Sequence, residues 1–228
     1  GGWWLLLSLP LLKNYRQRHY MEPETRILKS SFGRLRQGLR DLKEHRRIFL
    51  FLAAFFFYID GVYTIIDMAT AYGSALGLDS QGLLLALLVT QIVAFPFALL
   101  FGKAAKRCPA GRLIKVCILA YTAIALYAIQ LDRQWEFWVL AVCVGMFQGA
   151  IQALSRSYFA KIVPAEKSGE FFGIFDICGK GAAFLGTALV GMISQITGSP
   201  NAGVGVLAVM FLIGFVIFRR ADRLNSLS

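Results

Sequence analysis

Residues 48–66, 83–101, 113–131, 137–155, 171–196 and 202–218 are six apolar stretches, each close to the length of about 20 residues that carries a helix across a hydrocarbon core of about 30 Å. A segment in lipid has to satisfy its own backbone N–H and C=O groups, as a helix does. The stretches therefore predict an all-α integral membrane protein with six transmembrane helices. The shorter ones reach across by tilt, local thinning of the bilayer or snorkelling ends such as Lys115. Composition agrees, since 57% of residues are hydrophobic and 16% charged, against roughly 45–50% and about 25% in soluble domains.

The charges sort by loop. Eleven of the 24 Lys and Arg lie between Lys13 and Arg47, opposed by Glu22, Glu24, Asp41 and Glu44. The loop after the first stretch carries Asp79 alone, while the loop after the second holds Lys103, Lys106, Arg107, Arg112 and Lys115 without an acid. Cytoplasmic loops are enriched in Lys and Arg, so six crossings with both ends of the segment cytoplasmic are expected. The loop with Lys161, Glu166, Lys167 and Glu170 is nearly neutral and is placed inside by parity alone. A net charge of +11 on a soluble fold would suggest nucleic acid; here the cations follow the loops, so lipid is the expected partner and nucleic acid is not.

Residues 1–12 are apolar but too short to span, and lack the basic region that precedes a signal-peptide core. They read as the end of a preceding transmembrane helix. Residues 13–47 then form a basic cytoplasmic linker, residues 48–220 a six-helix bundle and residues 221–228 a cytoplasmic tail. The segment reads as the second half of a larger protein.

An ionisable residue at membrane depth is costly, by at least about 2.5–3.5 kcal/mol, and marks a candidate site. Asp60 lies about 20 Å along the helix from Arg47, past mid-membrane, and Asp67, seven positions on, shares its face near the outer interface. Asp67 fits a hydrated interfacial carboxylate. Asp60 has two readings, a proton carrier or a structural carboxylate bonded to a neighbouring helix. Gly61 weakens the helix beside it, as in the broken helices of transporters.

Gly145, Gly149, Ala153 and Ser157 recur every four residues, a small-residue line that lets helices approach closely. Gln148, Gln152 and Arg156 run along an adjoining line, expected to face a cavity or another helix; for Arg156, snorkelling to headgroups competes with substrate binding. The fifth stretch repeats the small line with Gly179, Ala183, Thr187 and Gly191. It also carries Asp176 and Lys180, an i, i+4 pair that either neutralises itself along one helix or serves coupling and charge recognition. The second stretch offers Gln91 and a kinking Pro96. The third and sixth are nearly uncharged and are expected to face lipid, as are Phe55, Phe56 and Phe57. Trp135 and Trp138 fit an interfacial belt.

No HExxH, GxSxG, GxxxxGK[ST] or CxxC pattern occurs, and His19 and His45 lie in the basic segment. Neither an enzyme, a metal site nor a cofactor is expected.

Gly102-Lys103-Ala104-Ala105-Lys106-Arg107, followed by Gly111-Arg112, resembles the loop motif of the major facilitator superfamily, with Lys106 where that motif has its acid. Longer matches are Phe56-Phe57-Tyr58-Ile59-Asp60-Gly61-Val62, the string QGxxQALSRS from Gln148 to Ser157, and Glu170-Phe171-Phe172-Gly173 running into Gly179-Lys180. Together they are similar to the unknown-major-facilitator, or vacuole-effluxer-like, family over Arg46 to Phe218. The family has proline where this chain has Thr187. The resemblance implies the C-terminal half of a twelve-helix fold, built as two inverted three-helix repeats, with the N-terminal six-helix half missing. It implies alternating access to a site near mid-membrane, and a bacterial inner membrane as the setting. Asp60, Gln148, Gln152, Arg156, Asp176, Lys180 and Asp67 then become candidates for the substrate or proton pathway, and Gly102, Arg107, Gly111 and Arg112 for the gating loop. The expected activity is proton-coupled secondary transport of a small polar solute, amino acids or related zwitterions first. The alternatives are a scaffold or receptor that moves nothing, and a channel.

Overall fold

A computed structural model describes residues 2–14, 40, 42 and 45–225. Most of the basic segment 13–47, His19 included, and residues 226–228 lie outside the described residues. Among the described residues the structure is helical, without a strand. The chain divides into two units, residues 1–34 and 35–228. The first contributes α1 (Gly2–Asn14), which contains Pro10 and exposes Leu6, Leu7, Leu9 and Leu12.

The second unit contains α2 (Arg46–Ala75), α3 (Ser80–Ala104), α4 (Ala110–Ala128), α5 (Gln134–Ile162), α6 (Ser168–Thr197) and α7 (Pro200–Asn225). All six are long and apolar enough to cross a membrane. Several outrun their apolar stretches: α2 continues to Ala75, and α7 carries residues 221–225 of the expected tail as helix. Helical hydrogen bonding does not stop where hydropathy falls; local chemistry ends it. Gly77 and Gly198, at φ 75° and 65°, end α2 and α6 in a left-handed conformation that glycine adopts without strain. The Asp79 carboxylate accepts from Gly82 N–H at 2.8 Å to start α3, and Glu136 accepts from the N–H groups of Asp132 and Arg133 at 3.0 and 3.2 Å to start α5.

The packing pairs the two triplets crosswise. The middle helix of each triplet lies on the first helix of the other, α3 on α5 and α6 on α2; each third helix also lies on the other's first, α4 on α5 and α7 on α2; and α4 meets α7. Exchanging α2–α3–α4 with α5–α6–α7 leaves these pairings unchanged, although α6 also packs on α7 more than α3 does on α4, and three crossings per triplet place the second upside down relative to the first.

Two expectations about lipid contact need correction. α4 and α7 are not simply lipid-facing: Ile114, Ile118, Tyr121, Leu207, Phe211 and Phe218 are buried between helices, and it is α3 and α6 that turn more of their surface outward. Phe55, expected against lipid, is 3% exposed and stacks on Phe175 at 4.2 Å between centroids, within a cluster that includes Phe51, Tyr158, Phe159 and Phe218. Apolar side chains suit lipid and protein interior equally, so hydropathy does not separate the two. In lipid, close packing rather than water exclusion drives association, and aromatic pairs add about 0.5–1.5 kcal/mol each.

Candidate functional site

Asp60 is fully buried, at 0% exposure, in the middle of α2. Its Oδ1 accepts a 2.8 Å hydrogen bond from the backbone N–H of Gly186 on α6. Oδ2 is buried without a hydrogen-bond partner among the described residues, and so is Oγ1 of Thr64, one turn further along α2. Glycine at 186 makes this possible. A Cβ there would lie 2.7 Å from Asp60 Oδ1 and 3.0 Å from its Cγ, and would collide with Thr64 Oγ1. Gly61 leaves room in the same way for the Phe211 ring of α7, 2.6 Å from where its Cβ would be.

Two residues toward Arg47, Tyr58 and Ser155 share a buried 2.7 Å hydrogen bond between α2 and α5. On the other side of Asp60, a cavity of about 260 Å³ opens between the helices. Its lining is mostly apolar; Thr64, Thr90, Gln91, Gln148 and Ser194 are polar members. Gln148 Oε1 is buried there without a hydrogen-bond partner among the described residues. Gln152 is half-buried and outside that lining, and Asp67 is exposed. Asp60 and Asp67 lie seven positions apart on α2, the first buried against Gly186 of α6 and the second exposed.

Arg156 and Asp176 meet across α5 and α6, Nη2 to Oδ1 2.6 Å, with side chains 60% and 51% exposed. This corrects the expected pairing of Asp176 with Lys180, which is exposed and has neither hydrogen bond nor ion pair among the described residues. A guanidinium reaching in from a neighbouring helix offers the carboxylate a directed N–H that a lysine one turn along the same helix does not. Arg156 thus has a protein partner in addition to any contact with headgroups. Its guanidinium also stands 5.7 Å over the Phe175 ring.

The small-residue lines divide. On α5, Gly145 would place a Cβ 2.6 Å from Thr90 O of α3 and Gly149 one 3.2 Å from Ala98 Cβ, so both bring two backbones together; Ala153 and Ser157 are exposed. On α6 the buried line is Gly179, Ala182, Gly186 and Val190, not Gly179, Ala183, Thr187 and Gly191. Gly191 faces open space and Thr187 bonds back to Ala183 O at 3.0 Å. A strict four-residue step drifts about 40° per step on a 3.6-residue helix, and mixing steps of three and four holds the face. Gly186 and Thr64 are the residues the sequence reading missed; Thr64 stands at i+4 from Asp60 and Gly186 at the mixed spacing from Gly179.

At the opposite end of the bundle from the cavity, Gly102, Arg107 and Arg112 are exposed. Gly111 is buried, and a Cβ on it would collide with the Asp222 carboxylate of α7. Asp222 also takes Lys115 Nζ at 2.8 Å and the Tyr158 hydroxyl at 3.2 Å.

Six apolar helices in two crosswise-packed triplets around a buried carboxylate define a multi-pass helical membrane protein. The family model described as vacuole effluxer Atg22 like matches residues 1–227, and the chain belongs to that family. It is 46% identical over 217 residues to an uncharacterized MFS-type transporter, YxiO, of Bacillus subtilis, covering 95% of this chain and 51% of the relative. Autophagy-related protein 22 of Vanderwaltozyma polyspora is 26% identical over 253 residues, covering 97% of this chain and 49% of its own length. The same protein of Coccidioides immitis is 25% identical over 246 residues, 93% and 40%. The chain spans about half or less of the length of these curated relatives. The match agrees with the major facilitator resemblance read from the sequence.

Proposed function

We propose that the chain supplies one six-helix half of a secondary transporter that moves a small polar solute by alternating access, with a further six-helix half completing the central site. The observation that carries this reading is Asp60, a carboxylate at membrane depth whose Oδ2 has no hydrogen-bond partner among the described residues. A purely structural carboxylate would be expected to have both oxygens satisfied; one held by Gly186 N–H and one open suits a group that takes up and releases a coupling proton. Transporter and effluxer relatives support the class. Arg156, Asp176 and Lys180, exposed together on the α5 and α6 surface, offer both signs of charge, which favours amino acids or related zwitterions as solute. The setting proposed is a bacterial inner membrane with both ends of this segment cytoplasmic.

The test uses the full-length parent of this chain in proteoliposomes loaded with amino acids and small metabolites, with efflux followed by mass spectrometry under an imposed pH gradient. Gradient-dependent loss of one compound class, abolished in a folded Asp60→Asn variant, is the expected result. Loss that persists in that variant would remove Asp60 from coupling. Absence of saturable counterflow for every solute would favour the scaffold.

A further inference from the structure

Asp60 and Thr64 bring two buried oxygens to one place on α2. Both side chains are fully buried, Asp60 Oδ2 and Thr64 Oγ1 have no hydrogen-bond partner among the described residues, and Thr64 Oγ1 and the Asp60 carboxylate, through its Oδ1, crowd the same point over Gly186, the place where a Cβ would sit. A proton on Oδ2 would neutralise the carboxylate. It would also turn Oδ2 into a donor that the Thr64 hydroxyl can accept, so a proton and a cation are competitors for the same pair of oxygens. A small cation between the two oxygens satisfies both at once.

We propose that Asp60 Oδ2 and Thr64 Oγ1 are ligands of a small monovalent cation, Na⁺ being the test ion, which competes with the proton for the same carboxylate; this deepens the reading of Asp60 as the coupling residue and rests on it. The ligands are hard oxygens, as such cations prefer. The charge is single: one carboxylate balances one positive charge, whereas a divalent ion would leave a net charge in a low-dielectric interior. No charged side chain of α6 or α7 forms an ion pair with Asp60 among the described residues; α6 presents the Gly186 N–H and α7 the Phe211 ring beside Gly61. The site also has an approach, because Thr64 lines the cavity. Water entering there and helix carbonyls complete the coordination.

The experiment is equilibrium binding of radioactive Na⁺ to the purified full-length protein at about pH 8, which needs no substrate and no flux. Saturable binding to one site is expected, displaced by Li⁺ and by acidification. Asp60→Asn abolishes it. Thr64→Val weakens it about tenfold or more, and Thr64→Ser, which keeps the hydroxyl, stays within about threefold of the parent, these being the sizes typical for losing or keeping a supporting group at a cation site. The Thr64 pair keeps the test decisive if Asp60→Asn fails to fold. No saturable Na⁺ binding by folded protein, or equal affinity in Thr64→Val and the parent, overturns the site. If the pH gradient still drives efflux in that case, the transport reading stands without it; if Na⁺ binds but no gradient drives efflux, the transport reading fails and the cation site remains.

Discussion

Asp60 and Asp222 are each held between helices, and they are held differently. Asp222 is saturated: Lys115 donates to one oxygen and Tyr158 to the other, from α4 and α5, while Gly111 lets the helix start come close. Asp60 receives one backbone N–H and keeps one oxygen open. The first arrangement ties the bundle together at the end opposite the cavity. The second leaves one buried oxygen open, which under the proposed function is where a coupling ion binds. Satisfaction of both oxygens is the structural difference on which the proposed division between a stabilising and an exchanging carboxylate rests.

Substitutions can break that contrast or sharpen it. Asp60→Asn retains an oxygen for the Gly186 N–H and removes the buried charge. It should lower coupled transport by about a hundredfold or more and change thermal stability in detergent little or upward, because an uncompensated charge is lost. Comparable losses of stability and transport would make Asp60 structural. Asp222→Ala should do the reverse: thermal unfolding shows a loss of about 2–3 kcal/mol, since Lys115 is left without its partner, and adding Lys115→Met recovers more than half. Transport per folded molecule changes little. Next come the close contacts. Gly186→Ala and Gly145→Ala should each destabilise by about 1–3 kcal/mol, as the new methyl meets Asp60 and Thr64 in one case and Thr90 O in the other; only Gly186→Ala should also impair coupling. The smallest effect is at Gly191, where nothing lies within 4 Å and alanine should raise helix stability by about 0.5 kcal/mol.

The sequence made the six helices legible because lipid imposes length and apolarity on each one separately. It also exposed Asp60, Gln148 and the Gly145 and Gly149 line, since each is anomalous or periodic within its own helix. Relations between helices were hidden. The partner of Asp176 is Arg156, twenty positions away, and its neighbour at i+4 was the only one that local spacing could suggest. Asp222 fell within the expected tail, residues 221–228, whereas α7 continues through it. Gly186 was passed over because a four-residue rhythm was followed where the helix keeps its face with mixed steps. Phe55 looked like a lipid anchor because an interior of phenylalanines and a bilayer select the same side chain.

The crosswise pairing has a consequence for synthesis. The hydrogen bond that holds Asp60 joins residues 126 positions apart, an interval the ribosome needs roughly 6–25 s to make at about 5–20 residues per second. Throughout that time α2 sits in or beside the membrane with its carboxylate unmet, a burden of about 2.5–3.5 kcal/mol or more, until α6 arrives. The earliest helix of the bundle thus waits for the fifth, and nascent chains cut short before Gly186 should be the ones the cell's insertion and quality-control machinery retains longest.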